Sequence, residues 1–277
     1  MRDGRGIREM LAWAGISIVN ALPLGLGATV AINLRVLANI VKDYGECEDL
    51  SQTTLLQTIL SYFKSRYSIT KPCIKILSQI PSSSGLKSSS AVAIAIIKAI
   101  TQRYNVYEPN IPQLAAELSK LAGVSFTGAL DDAAAAYYGG MVFTDNTNMR
   151  VIRVCDVNDD LGVAVLIPSG VNRPRIDINE MRRYSSVFQS IFERALQGDV
   201  YNAMTLNGIT IARILYKGFE EVAVKALKLG ALAAGVSGNG PALFAVFREG
   251  DEGPFVELFS EHGKVLIARF VRLGEGM

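Results

Sequence analysis

Pro81-Ser82-Ser83-Ser84-Gly85-Leu86-Lys87-Ser88-Ser89-Ser90-Ala91 is small, flexible and rich in hydroxyls, and it runs straight into an apolar stretch from Ala91 to Ile100. That combination predicts a loop opening onto a buried helix. A helix N-terminus leaves backbone N–H groups unpaired and carries partial positive charge. Gly85 and the serines let the backbone close around an anion. A phosphate chain is the simplest ligand that uses all of these features. Lys87, inside the loop, adds a point charge. The same serines also suit an ordinary helix cap, a job open to Ser88, Ser89 or Ser90. The stretch is not a Walker A loop, because Lys87 follows Leu86 where that motif has glycine, so a P-loop fold fits poorly.

Two further stretches carry chemistry. From Thr127 to Gly140, the adjacent carboxylates Asp131 and Asp132 precede a run of alanines that ends in Gly139-Gly140. Alanines allow close helix packing, so one carboxylate can face a cleft. Both can equally be first-turn charges favoured by the helix dipole. From Gly235 to Phe247, three glycines with Ser237 and Asn239 form a loop able to adopt positive φ immediately before an apolar strand. Taken alone, it also fits a plain tight connection.

Composition narrows the classes. The chain has 277 residues, 49% hydrophobic and 19% charged, with a net charge of +2. A sizeable core is within reach and disorder is excluded. Basic residues are scattered, without the patch that nucleic-acid binding requires. Cys47, Cys73 and Cys155 are few, odd in number and without metal-ligand spacing. They argue against a disulfide framework and for a reducing cytoplasm. The single histidine, His262, reads as a surface residue at a helix end. Leu11 to Leu34 lacks charge and follows Arg2, Arg5 and Arg8, which raises a signal peptide or membrane span. Asn20, Pro23, Gly25, Gly27 and Asn33 break that run into strand, loop and strand, with strands at Ile16–Val19 and Ala28–Ile32.

The rest of the chain mixes helix and strand without regular alternation. Helical patterns cover Ser51–Tyr67, Ala91–Gln102, Pro112–Leu121, Asp131–Tyr138, Asn179–Leu196, Tyr201–Tyr216, Glu220–Leu229 and Pro254–Glu261. Strands are predicted at Ile74–Leu77, Met141–Thr144, Val151–Val154, Gly162–Ile167, Leu243–Phe247 and Val265–Val271. This order indicates an α+β fold. A change of texture near Asn158 divides the chain into 1–158 and 159–277.

Pro81 to Ala91 resembles the nucleotide loop of the GHMP kinases, whose usual pattern is Pro-x-x-x-Gly-Leu-Gly-Ser-Ser-Ala. Lys87 stands where that pattern has glycine, and Ser90 is extra. The Gly-Leu-Lys-Ser-Ser-Ser version resembles the archaeal-type shikimate kinases of that superfamily. The resemblance implies a ribosomal-protein-S5-like N-terminal domain, a ferredoxin-like C-terminal domain and an active site between them. It implies phosphoryl transfer from ATP, brought with Mg²⁺, to the 3-hydroxyl of shikimate. Homoserine or mevalonate kinase activity on the same scaffold, or a non-catalytic regulatory role, are the alternatives. ATP would lie on residues 81–91, with Ser88 or Ser89 giving oxygen to Mg²⁺ and Lys87 near the phosphates. Counting back from Gly139 makes Asp132 the catalytic carboxylate, whereas counting forward from Thr127 favours Asp131. Shikimate carries a carboxylate, which suits arginine, and Arg173, Arg175 and Arg183 are the candidates. Asn20 and the Gly25–Ala28 hairpin would line the same cleft, and Ser237, Gly238 and Asn239 would contact the substrate. The oligomeric state is left open.

Overall fold

The structure, a computed structural model, describes residues 10–43, 53–70, 72–157 and 160–277. Arg2, Arg5, Arg8, Cys47, Ser51 and the proposed boundary at Asn158 lie outside the described residues.

The Leu11–Leu34 run forms most of a long antiparallel hairpin, β1 (Met10–Val19) and β2 (Leu26–Lys42). β2 serves two further partners. Leu26–Val30 pairs with β4 (Met141–Asp145), and Val36–Lys42 pairs with β3 (Cys73–Ser78). β5 (Arg150–Cys155) adds to the far side of β4. Every residue from Ala12 to Val19 is buried. Successive side chains on a strand point to opposite faces, so both faces of β1 are covered. This accounts for the missing charges without a membrane. Among the described residues, no helix is long and apolar enough to cross one.

Among the described residues, four helices belong to this first unit: α1 (Thr54–Tyr67), α2 (Ser88–Tyr104), α3 (Ile111–Leu121) and α4 (Leu130–Tyr138). α2 is apolar nearly all round because it is the central one, packing against β1, β2, α1, α3 and α4. Its Ile94, Ile96, Ile97 and Ile100 have no solvent exposure. α4 is short and alanine-rich, and so can lie close to β1, β2 and β4. It stops at Gly139, where φ is +74° and a Cβ would sit 2.3 Å from the Arg272 carbonyl oxygen.

The second unit runs β6 (Leu161–Pro168), α5 (Ile178–Arg182), α6 (Ser185–Leu196), α7 (Val200–Leu215), α8 (Phe219–Lys228), β7 (Ala233–Val236), β8 (Leu243–Arg248), α9 (Gly253–Ser260) and β9 (Gly263–Arg269). Its antiparallel sheet has the order β7-β8-β6-β9. That is the ferredoxin-like arrangement expected from the sequence. α6 and α7 also pack on β1, so one apolar core is continuous through both units. The chain end then returns to the first sheet. The Val271 N–H donates to the Ala31 carbonyl at 3.0 Å, and the Gly140 N–H donates to the Val271 carbonyl at 2.9 Å.

The α+β expectation holds, with corrections in detail. The single helix read over Asn179–Leu196 is two, α5 and α6, broken at Arg183 and Tyr184. β2 runs ten residues past the predicted Ile32. β7 is absent from the sequence reading because Ala-Ala-Gly-Val has little strand propensity. It is held by α7, whose Gly208 lies so close that a Cβ on Gly235 would fall 2.6 Å from the Gly208 Cα. Cys73 is disulfide-bonded, against the expectation of unpaired thiols, while Cys155 is free. Pairing depends on distance in space, which sequence spacing does not report.

Candidate active site

The two units meet around a cavity of about 550 Å³, lined by the serine loop, the start of α4 and the loop after β7. The serine loop owes its shape to alternating left-handed residues: Ser83 at φ +55°, Gly85 at +93° and Lys87 at +67°. Lys87 is the N-cap residue of α2, and no side chain caps that helix. The capping role open to Ser88, Ser89 and Ser90 is therefore not taken. These three serines form the first turn of α2, and all line the cavity, as do Ser82, Ser83, Ser84, Gly85 and Lys87. Their positions suit an anion at a helix N-terminus.

Three of the eleven loop residues do other work. Leu86 and Ala91 are fully buried in the core, and Pro81 does not reach the cavity lining. Ser84 also braces the bend, its hydroxyl donating to the Pro81 carbonyl at 2.7 Å.

The loop after β7 locks the serine loop in place. The Ala242 N–H donates to the Ser84 carbonyl at 2.8 Å, and the Ser237 hydroxyl donates to the Gly85 carbonyl at 3.1 Å. Ser237 has no exposure and braces the loop instead of lining the cavity, whereas Gly238 and Asn239 do line it. A Cβ on Gly85 would sit 2.3 Å from the Ser237 carbonyl oxygen. Steric overlap and positive φ thus act together, and Gly85→Ala should destabilise the fold by about 2–3 kcal/mol. Thermal denaturation checks this, and a melting temperature equal to wild type would show that the two loops do not press together.

Asn20 lines the cavity and ties β1 to the same loop. Its Nδ2 donates to the Gly238 carbonyl at 3.1 Å and to Asn239 Oδ1 at 2.7 Å. Both amide protons are thereby used on the chain's own groups. Arg173 lines the cavity as well, and its Nε and Nη2 donate to the Gly240 carbonyl at 3.2 and 3.0 Å. Arg175 and Arg183 are exposed and are not part of the lining. Of the three arginines, only Arg173 is brought to the cleft. His262 follows α9, away from the cavity lining.

The carboxylates occupy the first turn of α4 and differ sharply in setting. Asp131 is 2% exposed. It lies flat on Gly27 of β2, where a Cβ would meet the carboxyl atoms at 2.7–2.8 Å. Asn146 Nδ2 donates to its Oδ1 at 2.9 Å. Burial, and next the charge of Asp132, push the Asp131 carboxyl up to about 7. Asp132 is less enclosed. Its Oδ1 pairs with Lys87 Nζ at 2.8 Å, with side-chain exposures of 13% and 10%. Thr29 Oγ1 lies 2.9 Å from Asp131 Oδ2 and 2.7 Å from Asp132 Oδ1. Among the described residues, none engages Asp132 Oδ2 in the way that Lys87 and Thr29 engage Oδ1.

Thr29 and Asn146 were missed by the sequence reading, and the Gly25–Ala28 hairpin expected to line the cleft does not reach the cavity, Gly27 instead lying against the Asp131 carboxyl. Thr29 had a signal, as the one hydroxyl within the apolar strand Ala28–Ile32. Asn146 had none, because it meets Asp131 only once β4 is paired with β2. Gly15 is a further case: a Cβ there would fall 2.6 Å from the Thr29 methyl and 3.2 Å from Lys87 Cγ. Among the described residues, no group of three or more His, Cys, Asp or Glu side chains could hold a metal ion.

A helix-opening anion loop facing a lysine–carboxylate pair, in a cleft between an S5-like and a ferredoxin-like unit, is the layout of a small-molecule phosphotransferase. The chain belongs to the GHMP kinases: the GHMP kinases N terminal domain matches residues 54–140, and the GHMP kinases C terminal domain matches residues 191–264. A shikimate kinase of Pyrococcus furiosus is 33% identical over 267 residues, covering 92% of this chain and 96% of that protein. A shikimate kinase of Methanothrix thermoacetophila is 32% identical over 282 residues, covering 95% of each. The crystal structure of homoserine kinase from Cytophaga hutchinsonii superposes with a TM-score of 0.70 at 19% identity, covering 100% of this chain and 98% of that one, which speaks for the fold alone.

Proposed function

We propose that the chain is a shikimate kinase, transferring the γ-phosphoryl group of ATP to the 3-hydroxyl of shikimate. The observation that carries the reaction class is the meeting of the uncapped α2 N-terminus with the Lys87–Asp132 pair in one cavity. Shikimate as the acceptor is supported by relatives of that name aligned over nearly the whole chain.

In this reading the triphosphate lies on residues 82–90, its oxygens taking N–H groups from the first turn of α2. The hydroxyls of Ser88 and Ser89 would hold Mg²⁺ brought by the nucleotide, which would supply neutralisation of phosphate charge. Asp132 Oδ2 receives the proton of the acceptor hydroxyl as its oxygen forms the new bond to phosphorus. The bond from phosphorus to the bridging oxygen breaks, and ADP leaves with that oxygen. Such reactions rest on positioning and charge stabilisation, so Lys87 serves twice, orienting Asp132 and facing the phosphates. The units 1–158 and 159–277 then supply nucleotide and acceptor sides of one cleft.

Arg173 is the candidate for the acceptor carboxylate. Arg173→Lys keeps the charge and loses the planar fork, so the KM for shikimate should rise about tenfold while the KM for ATP moves little. Steady-state kinetics with each substrate varied in turn checks this, and a selective rise for ATP would move Arg173 to the other half of the cleft. The function itself is tested by ADP release with shikimate, homoserine and mevalonate. Turnover only with shikimate is expected, and turnover with either other alcohol but not shikimate would overturn the acceptor.

A further inference from the structure

Thr29 has one hydroxyl proton but stands within hydrogen-bond distance of two carboxylates, Asp131 Oδ2 at 2.9 Å and Asp132 Oδ1 at 2.7 Å. Were both aspartates ionised, one of those oxygen–oxygen contacts would hold no proton. Lone pairs would then face each other under 3 Å apart in a buried site, which is costly. One additional proton removes the conflict, and the surrounding groups determine where it sits.

A proton on Asp132 Oδ1 could be passed to Thr29, which would then donate to Asp131 Oδ2, but it would neutralise the carboxylate 2.8 Å from the Lys87 ammonium and leave the charge on the more deeply buried Asp131. A proton on Asp132 Oδ2 would leave Thr29 between two acceptors as before. A proton on Asp131 Oδ1 would meet Asn146 Nδ2, which donates to that oxygen at 2.9 Å and whose own Oδ1 accepts from the Thr144 hydroxyl at 2.6 Å. With the proton on Asp131 Oδ2, every donor finds an acceptor and the remaining negative charge stays beside Lys87. The chain then runs one way, from Asp131 Oδ2–H to Thr29 Oγ1, from Thr29 Oγ1–H to Asp132 Oδ1, with Lys87 closing it.

We propose that Asp131 is held as the neutral acid and, acting through Thr29, is a positioning residue that keeps Asp132 as the single ionised carboxylate of the site. Two charged groups act on Asp131: Asp132 from its own helix and Lys87 from the serine loop. β2 and the loop after β4 offer it the neutral groups Thr29 and Asn146, and Gly27 covers one face of its carboxyl. The upward displacement of its acidity, caused first by burial, agrees with this geometry. With Asp131 neutral, the charges of Lys87 and Asp132 cancel before a triphosphate arrives. With Asp131 ionised, the inner site would carry a net negative charge toward an anionic substrate, and Thr29 would have to abandon one partner.

The protonation state follows from the hydrogen-bond geometry together with the burial of Asp131 and the Lys87–Asp132 pair, whereas its effect on turnover rests on the kinase reading. The test is infrared spectroscopy of the full chain with carboxyl-labelled aspartate at about pH 6, where ordinary aspartates are ionised. A carbonyl band of a protonated carboxylic acid is expected in the wild type, fading as pH rises through about 7. It should persist in Thr29→Ser and vanish in Asp131→Asn. A wild-type spectrum without the band, a result that needs no variant to fold, would overturn the proposal, as would a band that survives Asp131→Asn. The second readout is the pH profile of shikimate-dependent ADP release. An alkaline limb tracking the loss of the band is expected in the wild type and in Thr29→Ser, and a Thr29→Val profile with the same limb would overturn the relay through Thr29. The band without shikimate turnover would leave the proton in place and remove the kinase reading, whereas turnover without the band would do the reverse.

Discussion

Asp132→Asn should lower kcat by about a thousandfold. The side chain keeps its size and its contact with Thr29, but it no longer accepts a proton and no longer carries charge toward Lys87. Proton acceptance by a positioned carboxylate contributes about 10²–10⁴ in rate, and the loss falls on kcat because the phosphates are held by other groups. The lost ion pair adds a smaller cost. Lys87 and Asp132 are about nine-tenths enclosed, so removing one charge leaves the other poorly solvated. A destabilisation of about 1–2 kcal/mol is expected, which for a chain of this size moves the melting temperature by only a few degrees. Single-turnover kinetics at saturating ATP, run beside a melting curve, separates the two effects. Wild-type turnover in Asp132→Asn would remove Asp132 from the chemistry.

Lys87→Ala should have the second-largest effect, a fall of about 10²–10³ in kcat/KM for ATP. The ammonium sits where the loop, α2 and Asp132 meet, and a preorganised cation facing a transferring phosphoryl group contributes at this scale. The backbone makes a control possible. At φ +67° a side chain is strained by about 1–2 kcal/mol. The usual family pattern has glycine at this position, which avoids that strain. Lys87→Gly should therefore melt higher than Lys87→Ala by about 1 kcal/mol and still fail to restore activity. Retention of lysine in a left-handed position despite the strain is explained by its reach to Asp132. Unchanged KM and kcat in Lys87→Ala would place its charge outside the reaction.

Stability carries a further signature. Asp131 binds its proton more tightly in the folded chain than in the unfolded chain, where it has an ordinary carboxyl. Between about pH 4 and pH 7 the folded state holds the extra proton, so this group's contribution to stability declines as pH rises through that window and levels off above it. Asp131→Asn removes the titration. The melting-temperature difference between Asp131→Asn and wild type should grow in favour of the variant from pH 4 to 7, and a difference independent of pH would show that Asp131 titrates normally.

Much of this was legible in the sequence because local chemistry left marks there. The serine stretch and the apolar run behind it specify a loop and a buried helix with no tertiary information. The glycines of the Gly235 loop and the alanines before Gly139 likewise follow from local conformational needs. Residues selected by pairing across strands left fainter marks. Asn146 reaches Asp131 because β4 pairs with β2, and Gly27 is a glycine because a carboxyl group lies on it. The choice between Asp131 and Asp132 could not be made by counting, since both lie in the first turn of α4. The structure sets them apart by depth, one against β2 and the other beside Lys87, and the proposed role of Asp132 rests on that difference. The arginines were over-counted for a related reason: Arg175 and Arg183 share composition with Arg173 but not its direction.

The proposed reaction needs a serine bend that holds a triphosphate while Asp132 aims an alcohol at its end. A crystal structure with shikimate, Mg²⁺ and a non-hydrolysable ATP analogue tests this most directly. Phosphate oxygens are expected on the N–H groups that open α2, and the 3-hydroxyl of shikimate within hydrogen-bond reach of Asp132 Oδ2. Nucleotide bound elsewhere, with Lys87 and Asp132 still closed on each other and no alcohol beside them, would contradict it.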